Sequence, residues 1–233
     1  METKTLTVNG VSTTNGLGEE KYTECCLGAF RGTIYFQYDY RHFTGELFST
    51  LKKTLEECRQ ERDNWLKQKT VSFSGHRTNR IAKFTTDRKR LFANVAFHTW
   101  SMIDNLCTQG YHTFLSGVAE GFDLIAAEEV LRLKKEYPHI RLVAVIPFRG
   151  QADRYTAEDR QRYNTILAQA DETIYLSERY FDGCFLRRND YLLEHSARLL
   201  AYYDRIPSGG TAYTVRKAIT ERKMNVINVC YDH

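Results

Sequence analysis

Residues 112–130 read HTFLSGVAEGFDLIAAEEV. The first five, His112–Ser116, form a short, largely apolar run of strand character. From Phe122 to about Tyr137 apolar residues recur at helical spacing. Between them lies Ser116-Gly117-Val118-Ala119-Glu120-Gly121, with Asp123 at the helix start. A strand that turns through glycines directly into a helix is the working corner of a β–α–β unit. Glycine lets the backbone approach a ligand and take positive φ. A helix start offers unpaired N–H groups and the positive end of its dipole, which favour phosphate. The two glycines are four apart, so the loop is not a GxGxxG fingerprint.

The same alternation extends in both directions. Thr70–Ser74 (TVSFS) reads as a strand, followed by a helix over about Asp87–Cys107. Arg141–Pro147 (RLVAVIP) is a continuous apolar run, the pattern of a strand buried on both faces. A helix at about Ala157–Gln169, a strand at Glu172–Leu176 and a helix near Phe185–His195 follow. Then come a strand near Leu199–Tyr203, a helix near Thr211–Arg222 and a last strand, Asn225–Cys230. Six strands alternating with helices predict an α/β domain with a doubly wound, mainly parallel, Rossmann-like sheet. Ligands of such sheets bind at the carboxyl ends of the strands.

Residues 1–69 read differently. β-prone runs lie at Leu6–Val11 and Thr33–Tyr40 (TIYFQYDY), with a helix over about Thr54–Lys67. Thr54 and Glu57 fit a capping box, and Leu55, Cys58, Trp65 and Leu66 mark one helix face. The expectation is a small β-plus-helix module at 1–69, ahead of a larger domain at 70–233.

Composition narrows the class. The chain has 233 residues, 42% hydrophobic and 27% charged, which suits a globular protein. No apolar run approaches the ~20 residues of a membrane helix, and METKTLTVNG has no signal-peptide pattern. These point to a cytoplasmic protein without membrane association. The six cysteines form no CxxC pair and read as free thiols. His42, His98, His112, His139, His195 and His233 form no metal set, so no metal is expected. The formal charge of +4 lies wholly beyond residue 69. Arg77, Arg80, Lys83, Arg88, Lys89 and Arg90 concentrate it, which leaves weak nucleic-acid binding open.

Two further strand ends share the glycine-loop character: Ser74-Gly75-His76-Arg77, and Pro207-Ser208-Gly209-Gly210-Thr211. The candidate ligand-binding residues are therefore Ser74, Gly75, His76, Arg77, Ser116, Gly117, Ala119, Gly121, Ser208, Gly209, Gly210 and Thr211. Arg188 and Asn189 join them from Arg187-Arg188-Asn189. Arginine suits bidentate phosphate contact. Glu120 and Asp123 are the candidate catalytic carboxylates; Asp123 is equally placed to cap its helix.

SGVAEGFD with Ala126 and Ala127 resembles the Ser-Gly-x-Ala-x-Gly-x-Asp loop of the SLOG superfamily. Together with SGHR, Arg187-Arg188-Asn189, Ala201-Tyr202-Tyr203-Asp204 and SGGT, it is most similar to the YpsA-like branch, over about residues 70–230. The resemblance implies a Rossmann-like fold and a pocket for a nucleotide or an NAD- or ADP-ribose-derived ligand, with no cofactor fixed. The superfamily includes Smf/DprA, which leaves single-stranded DNA binding open. It also includes the Lonely-guy enzymes, which leaves hydrolysis or transfer of an N-glycosidic bond open. Their PGGxGTxxE loop is PSGGTAYT here, and Thr214 stands where the glutamate would fall. Family members often associate, and the aromatic strand offers an edge, which leaves a homo-oligomer open, although no motif specifies a dimer. NGVSTTNG, YFQYDYRHFTGELFS and TLEECRQERDNWL resemble a small domain of unknown function from bacterial conjugative elements.

Overall fold

The computed structural model describes residues 14, 16–26, 32–83 and 85–230. The chain forms two compact units, Met1–Gln68 and Lys69–His233. None of the described helices is long and apolar enough to cross a membrane.

In the first unit, β1 (Glu20–Cys26), β2 (Ile34–Arg41) and β3 (Leu47–Lys52) form an antiparallel sheet in the order β1-β2-β3. The helix α1 (Leu55–Gln68) follows. The strand expected at Thr33–Tyr40 is β2; the run Leu6–Val11 lies outside the described residues. Neither β1 nor β3 was anticipated. LFSTLK puts an apolar residue on each face in turn, so no consistent alternation announces a strand. Its register comes from the turn before it, where Gly45 N donates to His42 O (2.9 Å) and His42 N to Glu46 O (2.8 Å). The capping box forms as expected: Thr54 N donates to Glu57 Oε2 at 3.1 Å, and Glu57 N to Thr54 Oγ1 at 3.2 Å. The helix lays Leu55, Cys58, Trp65 and Leu66 on Phe36, Tyr38, Tyr40 and Phe48. Beside that core Glu20 accepts hydrogen bonds from Tyr38 and Arg62 and from Arg59.

The second unit is the predicted α/β layer structure. Its elements are β4 (Thr70–Gly75), α2 (Thr78–Ile81), α3 (Arg88–Thr108), β5 (Thr113–Ser116), α4 (Phe122–Leu133) and β6 (Arg141–Ile146). They continue with α5 (Ala157–Gln169), β7 (Glu172–Tyr175), α6 (Cys184–Glu194), β8 (Arg198–Tyr202), α7 (Gly209–Thr220) and β9 (Asn225–Asn228). The six strands are parallel, in the order β7-β6-β5-β4-β8-β9. From β4 the chain winds outward one way through β5, β6 and β7. It then crosses back and winds the other way through β8 and β9. The reversal falls between β4 and β8, where a crevice opens at the carboxyl edge.

Strand alternation explains why RLVAVIP is apolar throughout. Leu142, Ala144 and Ile146 pack toward one face with Phe73, Phe114, Leu124 and Ile103. Val143 and Val145 pack toward the other with Leu115 and Leu192. A third cluster joins Leu199 and Ala201 to Leu193, Val215 and Ala218. Each fully buried side chain of this size contributes about 1.5–3 kcal/mol.

Candidate functional site

The three glycine-bearing strand ends lie side by side, because β4 sits between β5 and β8. Beside them is a cavity of about 360 Å³, within the range of small-molecule sites. The end of β4 supplies Ser74, Gly75, His76 and Arg77, and α2 supplies Arg80. Ala119 and Asp123 come from the loop after β5 and the start of α4. The first turns of α6 give Phe185, Arg188 and Asn189, and the start of α7 gives Gly209, Gly210 and Thr211. Ser116, Gly117, Glu120, Gly121 and Ser208 do not line it.

The loop after β5 stays out because its groups serve one another. Ser116 Oγ donates to Asp123 O (3.1 Å) and accepts from Val118 N (3.1 Å). Val118 has φ 45°, a left-handed conformation that costs a β-branched residue about 1–3 kcal/mol. It is held there by Gln151 Nε2, which donates to Gly117 O and Val118 O at 3.0 Å each. Tyr155 adds a hydrogen bond from its hydroxyl to Val118 O and accepts one from Glu120 N. A Cβ on Gly117 would stand 1.2 Å from Arg188 Nη1, so this glycine makes room for a guanidinium. Gly121, at φ 93°, makes room for backbone: a Cβ would meet His76 O at 2.5 Å and Thr78 N at 2.7 Å.

Arg188 and Asp123 form a buried pair, Nη1 to Oδ2 at 3.4 Å. Burial pushes the Asp123 carboxyl above its usual range, against Arg188 and Arg77 and the backbone N–H donors of Ala119 and Gly75. Burial likewise pulls Arg188 down, against the Asp123 charge. Arg188 Nε donates to Asn189 Oδ1 (2.9 Å), and Asn189 Nδ2 to Thr214 Oγ1 (2.9 Å). Thr214 is buried and donates to Gly210 O (2.8 Å), so it braces α7 and lines no part of the cavity. With Asp123 fixed on these donors, the start of α4 is occupied by its own carboxyl group.

On the other side Arg80 grips Asp204, Nε to Oδ2 at 2.7 Å and Nη2 to Oδ1 at 2.8 Å. Arg80 also donates to Ser208 O (3.1 Å), tying α2 to the approach of α7. His76 Nε2 lies 2.9 Å from Asp204 Oδ1 and 3.2 Å from Asp204 N. Burial lowers the His76 pKa, with the Asp204 charge opposing it. The state of the ring nitrogen decides which of the two it bonds. Burial raises the Asp204 carboxyl, but Arg80, the Ile206 N–H and His76 outweigh it and bring it down to about 2. A depressed carboxyl contributes stability that is full above its unfolded pKa, near ~4, and is lost as pH falls through its folded one. The stability gap between wild type and Asp204→Asn should accordingly be full at pH 6 and close between about pH 4 and about pH 2. Urea melts across that range check it; a constant gap would contradict the ion pair.

The start of α7 is left open. Ser208 caps it without a side-chain hydrogen bond, and the first N–H groups of a helix have no acceptor within the helix itself. Ser74 and Thr211 are 7% and 8% exposed and line the cavity, yet neither hydroxyl has a hydrogen-bond partner among the described residues. Arg77 reaches only the Glu120 carbonyl and Tyr155, and has no carboxylate partner among the described residues. Arg80 and Phe185 were not anticipated. Arg80 stands one helical turn after Arg77, a spacing that signals a shared face. Gln151 and Tyr155 carry no sequence signal at all.

Comparison with known proteins follows this division. The YspA SLOG family matches residues 71–231, and a domain of unknown function (DUF3873) matches residues 4–70. A UPF0398 protein of Halalkalibacterium halodurans is 30% identical over 153 residues, covering 64% of this chain and 80% of its own. One of Bacillus velezensis is 27% identical over 158 residues, covering 66% and 86%. One of Bacillus cereus is 34% identical over 100 residues, covering 42% and 54%.

Proposed function

Because the chain belongs to the YspA SLOG family, we propose that its second unit binds a nucleotide or nucleotide-derived ligand, of the NAD or ADP-ribose kind, in the crevice between β4 and β8. The observation that carries this reading is that Ser74 and Thr211 line the cavity with hydroxyls that have no partner among the described residues, beside the start of α7. A phosphate would supply acceptors to both hydroxyls and to the α7 N–H groups. Arg77 adds a cation at the same place without giving up an ion pair. Such ligands and free thiols both suit the cytoplasm. The likeness of the first unit to conjugative-element domains supports a role on a bacterial mobile element.

Turnover is the second reading, favoured by one observation: Asp123 lines the cavity, and burial raises its carboxyl, the direction a general acid needs. Its fixed partners favour binding over chemistry. The DNA reading draws less support, since Arg77 and Arg80 line the cavity and leave Arg88, Lys89 and Arg90 exposed at the start of α3.

A single experiment addresses binding and turnover together. Wild type, Ser74→Ala and Thr211→Val are titrated calorimetrically with AMP, ATP, NAD and ADP-ribose, while released base is followed by chromatography. Each variant should bind about tenfold or more weakly, the loss of a hydrogen bond to a charged group, with an unchanged unfolding midpoint. No binding at millimolar concentration would end the proposal. Base release abolished in Asp123→Asn would promote turnover over binding.

A further inference from the structure

A second cavity of about 360 Å³ is lined by Tyr203, Pro207, Gly209, Ala212, Tyr213 and Arg216. It meets the first at Gly209, the residue common to both. Gly209 has φ 85°, and a Cβ there would touch only Arg80 Nη1, at 3.6 Å. Gly209 itself carries no side chain, and the Arg80 guanidinium lies alongside it, donating to Ser208 O at 3.1 Å. Tyr203 stands between the two spaces: it lines the second, while its ring packs 5.9 Å from that of His76, which lines the first.

The second cavity is built to hold a flat group. The Tyr213 hydroxyl donates to Asp190 Oδ1 (3.2 Å), and Lys217 Nζ bonds the same oxygen at 2.8 Å and the Tyr213 hydroxyl at 3.1 Å. The Tyr213 ring is thereby fixed without help from a ligand. Tyr203 is fixed through its backbone, which exchanges hydrogen bonds with the Asn228 amide at 3.0 and 2.8 Å. Rings held in advance bind planar groups at little entropic cost. Arg216 is exposed on the same face of α7 and has no carboxylate partner among the described residues. Two ordered tyrosines with an uncommitted guanidinium are the elements that stack heteroaromatic rings.

We propose that this cavity is a second subsite, taking a planar heteroaromatic group joined to the phosphate that rests over Gly209 and Gly210, so that the ligand straddles the α7 start. The assignment rests on the phosphate reading above. Each cavity has the size of one mononucleotide-like half, and the shared residue carries no side chain to bar the path between them.

The test compares AMP with diadenosine diphosphate, and GMP with diguanosine diphosphate, by calorimetry on the full chain. The proteins are wild type, Ala212→Leu, which fills the second cavity, and Tyr213→Leu, which removes a ring. Wild type should bind the better two-base probe about tenfold more tightly than its mononucleotide, as one added base stack implies. Both variants should lose that gain and keep mononucleotide affinity. A two-base probe that binds no tighter than its mononucleotide overturns the proposal, as does an equal effect of the variants on both. In either case the phosphate reading stands. Failure of every probe to bind overturns that reading and this subsite with it.

Discussion

Arg188→Met should lower the stability of the second unit by about 3–5 kcal/mol, the cost of leaving a buried charge without its partner. Methionine fills much of the space of the arginine stem, so the loss measures charge rather than a cavity. The stranded group is Asp123, whose carboxyl burial already drives upward. A carboxyl raised above its unfolded pKa near ~4 contributes most when protonated. That contribution is full below the unfolded pKa and lost as pH rises through the folded one. The deficit of the variant should therefore be greatest at neutral pH and narrow on acidification. Adding Asp123→Asn removes the charge while keeping an acceptor for the Ala119 and Gly75 N–H groups, and should restore most of the loss. Urea denaturation of both variants at pH 7 and pH 5 checks this. A deficit below about 1 kcal/mol at pH 7 would mean that Asp123 finds other compensation.

Gly121→Ala should cost about 3 kcal/mol or more, although it adds one methyl group. Positive φ alone costs a non-glycine residue about 1–3 kcal/mol. The added carbon would also meet His76 O, Thr78 N and the Arg77 Cα, all main-chain atoms that no rotamer change can move. The β4 end and the start of α4 would have to part, and Phe122 N would lose its 3.1 Å bond to His76 O. The same melts report it, and ligand affinity should fall too, because Ser74, His76 and Arg77 ride on the displaced strand end. A change under about 1 kcal/mol would show that the two segments separate easily.

Both predictions bear on the loop whose sequence spoke most clearly, and they show how far sequence reaches. RLVAVIP announced a strand buried on two faces because it has no polar alternation, and Leu142 and Val143 do pack to opposite sides. Thr54 and Glu57 announced a helix start by chemistry confined to four residues. The strands β1 and β3 gave no such sign, since their pairing is settled by partners across a sheet. The site divides in the same way. Serine and glycine at a strand end look alike whether they face a ligand or the protein. Ser116 and Gly117 turn inward because Arg188 arrives from 65 residues beyond Asp123; Ser74 remains at the cavity because no such group reaches it. Both loops open on the same Ser-Gly pair, and long-range packing decides between them.

The reversal of winding between β4 and β8 also orders events in time. Ser72 Oγ reaches Arg198 O across 126 residues of chain, and the crevice exists only once that closure is made. Contacts of such separation form late, after the entropy of the intervening loop has been overcome. A chain still emerging from the ribosome can complete β4, β5 and β6 and yet possess no wall on the β8 side. A ligand bound there as proposed would not assist that early folding; it would act by mass action on finished molecules alone. Occupancy of the crevice would thus distinguish a completed chain from one that stops short of α7.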